Sequence, residues 1–190
     1  MKTTVIYAHP WDGSYNRAIL DKTIEKLKMR NKLYQIIDLN KDNFNPALSK
    51  KDLSLFSRGE TTDEKVHKYQ RMLDESDEIV FIFPIWWFDT PAILKGFIDK
   101  VMLKGFAYHE KEASLEGLLT HIKNTIVITT SEVPTSFISN SIGETFINLT
   151  LKSIGLKNIE WLNCEFTTSS EDSHRLAFLD KVGATLHAAQ

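Results

Sequence analysis

With one cysteine, Cys164, the chain has no means of forming an internal disulfide or a cysteine metal cluster. Glycine is sparse too. No two of the eight stand two residues apart, which excludes the G-x-G-x-x-G dinucleotide fingerprint, and there is no Walker-type phosphate loop. The six histidines (His9, His67, His109, His121, His174 and His187) offer no i,i+4 pair for a metal, and no G-x-S-x-G elbow occurs. Neither sign of charge dominates. A net charge of -2 without a Lys/Arg block argues against nucleic acid or an anionic membrane as partner. The longest strongly apolar run, Ile79 to Phe88, is far too short to span a bilayer. Met1 to His9 lacks the apolar length of a signal peptide, so a cytoplasmic protein is expected.

What is present suits one globular domain over residues 1–190, with 42% hydrophobic and 25% charged residues. Apolar segments alternate with helical patterns five times. Strands are expected at Thr4–Ala8, Leu33–Asp38, Glu78–Pro84, Thr125–Thr130 and Ile159–Phe166. Helices are expected at Ser14–Met29, Thr62–Ser76, Pro91–Leu103, Ile142–Ser153 and Glu171–Ala188, each with a narrow apolar stripe. In the fourth the stripe is Ile142, Phe146 and Leu149; in the fifth it is Leu176, Leu179, Val182, Gly183 and Leu186. Strict βα alternation predicts a parallel sheet sandwiched by helices. Asn40–Thr62 and Ala107–Asn124 have weaker periodicity and read as loops or short helices.

Three loops would share the carboxyl edge of that sheet, where open α/β sheets bind ligands. After the first strand, His9-Pro10-Trp11-Asp12-Gly13-Ser14-Tyr15-Asn16 joins turn chemistry to an N-cap, Ser14. Free amides at a helix start, with His9, Ser14 and Asn16 as added donors, suit an anion; an ordinary capped turn is the plainer reading. After the third strand, Phe83-Pro84-Ile85-Trp86-Trp87-Phe88-Asp89-Thr90-Pro91-Ala92 sets two tryptophans between prolines. Such a loop either closes the core or walls a pocket for a planar ring. After the fourth strand, Thr129 to Phe137 is an extended, hydroxyl-rich segment able to reach a ring edge or simply to meet solvent. An anionic tail beneath a flat ring describes a flavin nucleotide, and two independent loops agree on it. Cys164, in an apolar strand, reads as core rather than nucleophile.

Nearly the whole chain resembles the NAD(P)H:quinone oxidoreductase family of flavodoxin-like flavoproteins. That family includes bacterial quinone reductases and the ancillary reductases of glutathione-gated potassium efflux systems. The resemblance is carried by His9-Pro10 with Ser14-Tyr15-Asn16, by Asp38-Leu39, by Tyr69-Gln70, by Phe83 to Phe88 with Pro91 to Val101, and by Gly105 to Tyr108. It implies a doubly wound five-stranded parallel sheet of order 2-1-3-4-5, FMN or FAD as cofactor, and NAD(P)H as hydride donor. A quinone or related compound is the implied acceptor. By the same resemblance, His9, Ser14, Tyr15 and Asn16 hold the flavin phosphate; no Lys or Arg stands between His9 and Asn16, so no basic clamp is expected. Ile85, Trp86, Trp87 and Phe88 line the ring, with Thr130, Ser131 and Glu132 beside it. Tyr108 lies near the substrate face, in a pocket shared by a homodimer built on residues 87–90 and 105–109.

The third loop departs from the family pattern. Ser131 and Glu132 stand where paired glycines are usual, Phe137 where a catalytic tyrosine is usual, and Gly143 where a histidine can occur. Phe137 can stack on a ring but cannot donate a proton. The alternatives to a quinone reductase are an accessory subunit of a potassium efflux transporter and an azo- or nitro-compound reductase.

Overall fold

The computed structural model describes residues 1–112 and 114–188; residues 113, 189 and 190 of the expected domain lie outside the described residues, as does the side chain of His187. Five strands form one parallel sheet: β1 (Lys2–Tyr7), β2 (Leu33–Asp38), β3 (Glu78–Pro84), β6 (Asn124–Thr130) and β7 (Ile159–Cys164). Their spatial order is β2-β1-β3-β6-β7, the expected 2-1-3-4-5 once only sheet strands are counted. The added numbers belong to a hairpin, β4 (Tyr108–Lys111) with β5 (Ser114–Gly117), inside the stretch expected to be loop or short helix. Its strands are almost wholly exposed, so they carry no apolar alternation to betray them.

β3 is buried along its whole length, which is why it reads as an unbroken apolar run; central parallel strands are covered on both faces. Side-chain alternation divides the core in two. Ile6, Phe81, Phe83 and Val127 pack under α3 (Glu64–Asp74), α4 (Ala92–Val101) and the helical segment Ser139–Leu151. Val5, Tyr7, Val80, Ile82 and Ile126 pack under α1 (Tyr15–Met29) and α5 (Asp172–Ala188). A short helix, α2 (Lys50–Phe56), lies within Asn40–Thr62.

Two expected stripes are corrected. Ser139–Leu151 is a π-helix, and it buries Ile142, Phe146, Ile147 and Leu151. Those intervals of four and five residues suit the wider π turn, and Leu149, expected on the buried face, is exposed. The Thr150 hydroxyl donates to the Thr145 carbonyl at 3.0 Å, five residues back. In α5 Leu179, Val182, Gly183 and Leu186 face the core as expected, joined by Phe178, while Leu176 faces solvent.

The hairpin meets the body at a glycine–glycine crossing. A Cβ on Gly117 would stand 2.1 Å from the Gly155 nitrogen. Nearby, Leu119 N–H donates to the Ile154 carbonyl at 3.0 Å.

Candidate functional site

Strand order reverses between β1 and β3, whose carboxyl ends therefore diverge into a crevice. The loop from β1 enters α1 through Ser14, whose hydroxyl accepts the Arg17 amide at 3.1 Å. Tyr15 and Asn16 open the helix, so their amides have no intrahelical acceptor, and the helix dipole adds partial positive charge. His9 accepts the Trp11 amide through Nδ1 at 3.1 Å, which leaves its proton on Nε2. Burial holds the imidazole below its ordinary pKa, and the bond accepted at Nδ1 likewise suits the neutral ring. Arg17 is spoken for, with Asp12 at 2.8 Å and Asp21 at 3.0 Å.

Asn16 is 4% exposed. Its Nδ2 donates to the Thr130 hydroxyl at 2.8 Å, while its Oδ1 has no partner. An unanswered buried acceptor costs about 1–3 kcal/mol, and a ligand hydroxyl would relieve it.

The loop from β3 makes a tight reversal. Trp86 and Asp89 exchange amide–carbonyl bonds of 3.1 and 3.2 Å, and the two residues between them, Trp87 and Phe88, have φ of 51° and 65°. Such turns favour Asn-Gly; a bulky side chain in the left-handed region costs roughly 1–2 kcal/mol per residue. The strained turn turns its rings outward: Trp87 is 94% exposed. Trp86 packs against His9, ring centroids 5.9 Å apart. The Ser141 hydroxyl of the π-helix donates to the Phe88 carbonyl.

The loop from β6 is built differently. Asn163 Nδ2 donates to the Ser131 and Thr135 hydroxyls, both at 3.0 Å, and Asn163 Oδ1 accepts the Thr129 hydroxyl at 2.8 Å. Two carboxylates then brace this loop and the loop after β7 in opposite directions. Glu132 accepts the Thr168 amide at 2.6 Å and the Ser169 hydroxyl at 3.1 Å; Glu165 accepts the Thr135 amide at 2.6 Å. Burial works against ionisation of Glu132, but the bonds from Thr168 and Ser169 outweigh it and hold the carboxyl below the usual range. Hydrogen bonds from Thr135 do the same for Glu165.

These loops enclose two adjoining clefts. One, of 250 Å³, is lined by His9, Ser14, Tyr15, Asn16, Ile85, Trp86, Thr130, Ser131 and Glu132, together with Trp11, Pro84, Thr167 and Thr168. The second, of 190 Å³, is lined by Ile85, Trp87, Phe88, Val133, Ser131 and Glu132. Ile85, Ser131 and Glu132 belong to both. Eleven of the residues expected from the sequence are thus brought together in one crevice. Two are not: Phe137, 67% exposed on a 3₁₀ turn (Thr135–Phe137), lines neither cleft, and Tyr108 packs half-buried against the core at the start of β4. Thr167 and Thr168 follow β7, on the same sheet edge, so the edge rule applied to a fourth loop points to them.

Larger cavities exist: a groove between α1 and α5 beside Lys26, Arg30 and Gly183 lies away from the crevice, and a polar cleft of 360 Å³ lined by Asp12, Arg17, Asp38 and Lys41 adjoins it at His9. Among the described residues no group of three metal-ligating side chains occurs, and no helix is long and apolar enough to cross a membrane.

Comparison with known proteins agrees with this architecture. Residues 1–186 match a family model described as a flavodoxin-like fold. An uncharacterized NAD(P)H oxidoreductase of Haemophilus influenzae is 30% identical over 85% of this chain and 82% of its own. The mouse ribosyldihydronicotinamide dehydrogenase [quinone] is 32% identical over 56% of this chain, an alignment that spans 53%, about half, of that protein's length. The solved NAD(P)H:quinone oxidoreductase of Methanothermobacter marburgensis superposes with a TM-score of 0.90 at 25% identity, covering 100% of this chain and 99% of that one. The chain belongs to the flavodoxin-like fold family and has NAD(P)H:quinone oxidoreductases among its homologues.

Proposed function

We propose that the protein is a flavin-dependent oxidoreductase that uses NAD(P)H to reduce a quinone-like acceptor. The observation that carries the reading is the pairing, in one crevice, of an uncommitted helix start and orphaned Asn16 Oδ1 with an outward-facing aromatic turn. A bound FMN or FAD would supply the chemistry, accepting hydride and releasing two electrons. The chain's own groups do the positioning. Amides of Tyr15 and Asn16, the Ser14 hydroxyl and the neutral His9 Nε2–H suit a phosphate. Asn16 Oδ1 accepts a hydroxyl of the attached chain. Ile85, Trp86 and the aromatic turn exclude water from a planar ring, which strengthens every polar contact there.

The phosphate is held without a basic clamp, because Arg17 is neutralised by Asp12 and Asp21. A homodimer through residues 87–90 and 105–109 belongs to this proposal: it would cover Trp87 and bring Tyr108 of one subunit toward the crevice of the other. So does a cytoplasmic location.

The test is direct. Purified protein should take up FMN or FAD stoichiometrically, show a flavin absorbance band, and bleach on addition of NADH or NADPH. Chromatography of the released cofactor tells FMN from FAD. Ser14→Glu should abolish retention by placing a carboxylate at the helix start. Absence of flavin uptake by the folded protein sinks the proposal; uptake without turnover of any quinone, azo or nitro acceptor would leave a flavin-binding subunit rather than an enzyme.

A further inference from the structure

Two neighbouring clefts bordered by aromatic and aliphatic side chains would take a planar ring of any charge, were it not for one residue. Among the side chains lining them, Glu132 is the only ionised one: His9 is neutral, and the remainder are apolar, hydroxyl or amide groups. The nearby basic groups are committed elsewhere. Arg17 is paired with Asp12 and Asp21, and Arg175 donates to the Thr167 and Ser170 carbonyls and to Asp172. Lys41 lies in an adjoining polar cleft, which shares only His9 with the first and is lined also by Asp12 and Asp38. The Glu132 carboxylate is also fixed in place, by Thr168 on one oxygen and Ser169 on the other. It therefore cannot swing away from an incoming ligand without breaking both bonds.

We infer that Glu132 sets the charge selectivity of the crevice, admitting planar aromatic acceptors that carry positive charge and rejecting those that carry sulfonate or carboxylate groups. This deepens the oxidoreductase reading and rests on it for the word acceptor. A fixed carboxylate near the surface acts on a unit charge within a Debye length, and so discriminates between opposite charges by on the order of tenfold at low salt. The Trp87 and Phe88 faces act in the same direction, since aromatic faces attract cations. Added salt should erode the preference, because the clefts are open to solvent.

The experiment uses two sets of probes on the flavin-loaded protein. The first is three naphthoquinones of one ring system: neutral, sulfonated, and bearing a trimethylammonium group, each read as KM. The second is a redox-inert pair, a naphthalene sulfonate and a naphthyl trimethylammonium salt, read by quenching of tryptophan fluorescence. The inference expects the cationic member to bind about tenfold more tightly than the anionic one in both sets. Glu132→Gln, which keeps an acceptor for the Thr168 amide, should lower that ratio several-fold, leaving only the preference set by the cofactor phosphate. Ser169→Ala removes a tether but no charge and should preserve it. A ratio unmoved by Glu132→Gln, or one lost equally in Ser169→Ala, overturns the inference. Failure to reduce any naphthoquinone counts against the oxidoreductase reading alone, because the inert pair still reports selectivity.

Discussion

The loop after β3 and the loop after β6 run side by side, joined where Ile85 N–H donates to the Thr130 carbonyl at 2.8 Å, yet they are held by opposite means. The first is a short turn whose geometry is locally unfavourable, with Trp87 and Phe88 left-handed and scarcely packed. The second is longer but adds no left-handed residue between Ser131 and Phe137; Asn163 ties it to β7, and Glu132 and Glu165 stitch it to the loop after β7. One wall of the crevice therefore carries stored strain and the other carries bonds. Strain concentrated at a ligand-facing position is a common mark of function, because nothing else repays it. Bonds between two loops provide rigidity where glycine would have provided only close approach.

The largest effect should come from cutting the stitches. Asn163→Ala removes three hydrogen bonds at once, and should cost about 3 kcal/mol in urea unfolding. A cost below that of a typical surface substitution would mean the loop holds its shape unaided.

Acid should act on the same wall, less strongly. Glu132 and Glu165 are both held below the ordinary carboxylate range in the folded chain. Their contribution is complete above the unfolded pKa, about 4.3, and is lost as pH falls through the lower folded value. Urea midpoints should drop as pH falls below about 4.3, and the double variant Glu132→Gln, Glu165→Gln should flatten that limb. Parallel acid limbs for variant and wild type would remove the carboxylates from the account.

On the strained wall, Trp87→Asn should stabilise the protein by about 1 kcal/mol, since Asn tolerates the left-handed region and little packing is lost. The same change should weaken binding of a planar probe, read by its own fluorescence. A destabilised variant would show that Trp87 is covered in solution, as a homodimer requires. The smallest effect is expected from Phe137→Tyr. An exposed ring outside both clefts should change stability by less than about 0.5 kcal/mol and leave the rate of flavin reduction as it was. A faster reduction would place the residue at the ring after all, through a partner subunit.

The sheet was legible because each strand carries its own burial signature: Glu78–Pro84 reads as continuous, and Leu33–Asp38 ends where expected. Ser14 was legible as a cap because side-chain capping is a local matter. The helix period served for α1, α3 and α4, whose expected stripes are buried; what failed depends on a departure from that period or on contacts distant in sequence. The inward row of Ser139–Leu151 cannot be found with a 3.6-residue template, which places Leu149 on the wrong face. The role of Glu132 as a brace needs Thr168, thirty-six residues on, and nothing local announces that pairing. Trp11 was visible in the first loop, yet only the fold shows it bordering a cleft.

The crossing of Gly117 and Gly155 has a consequence for descent. Neither position has a smaller residue to fall back on, and a methyl group on either would press into the other's backbone. No sequence of single compensations passes through such a contact: a replacement at one site cannot be offset by shrinking the other. In any homologue, then, a larger residue at either place implies a hairpin docked at another distance or angle. Those two letters in an alignment are a marker of where the arm that carries Tyr108 comes to rest.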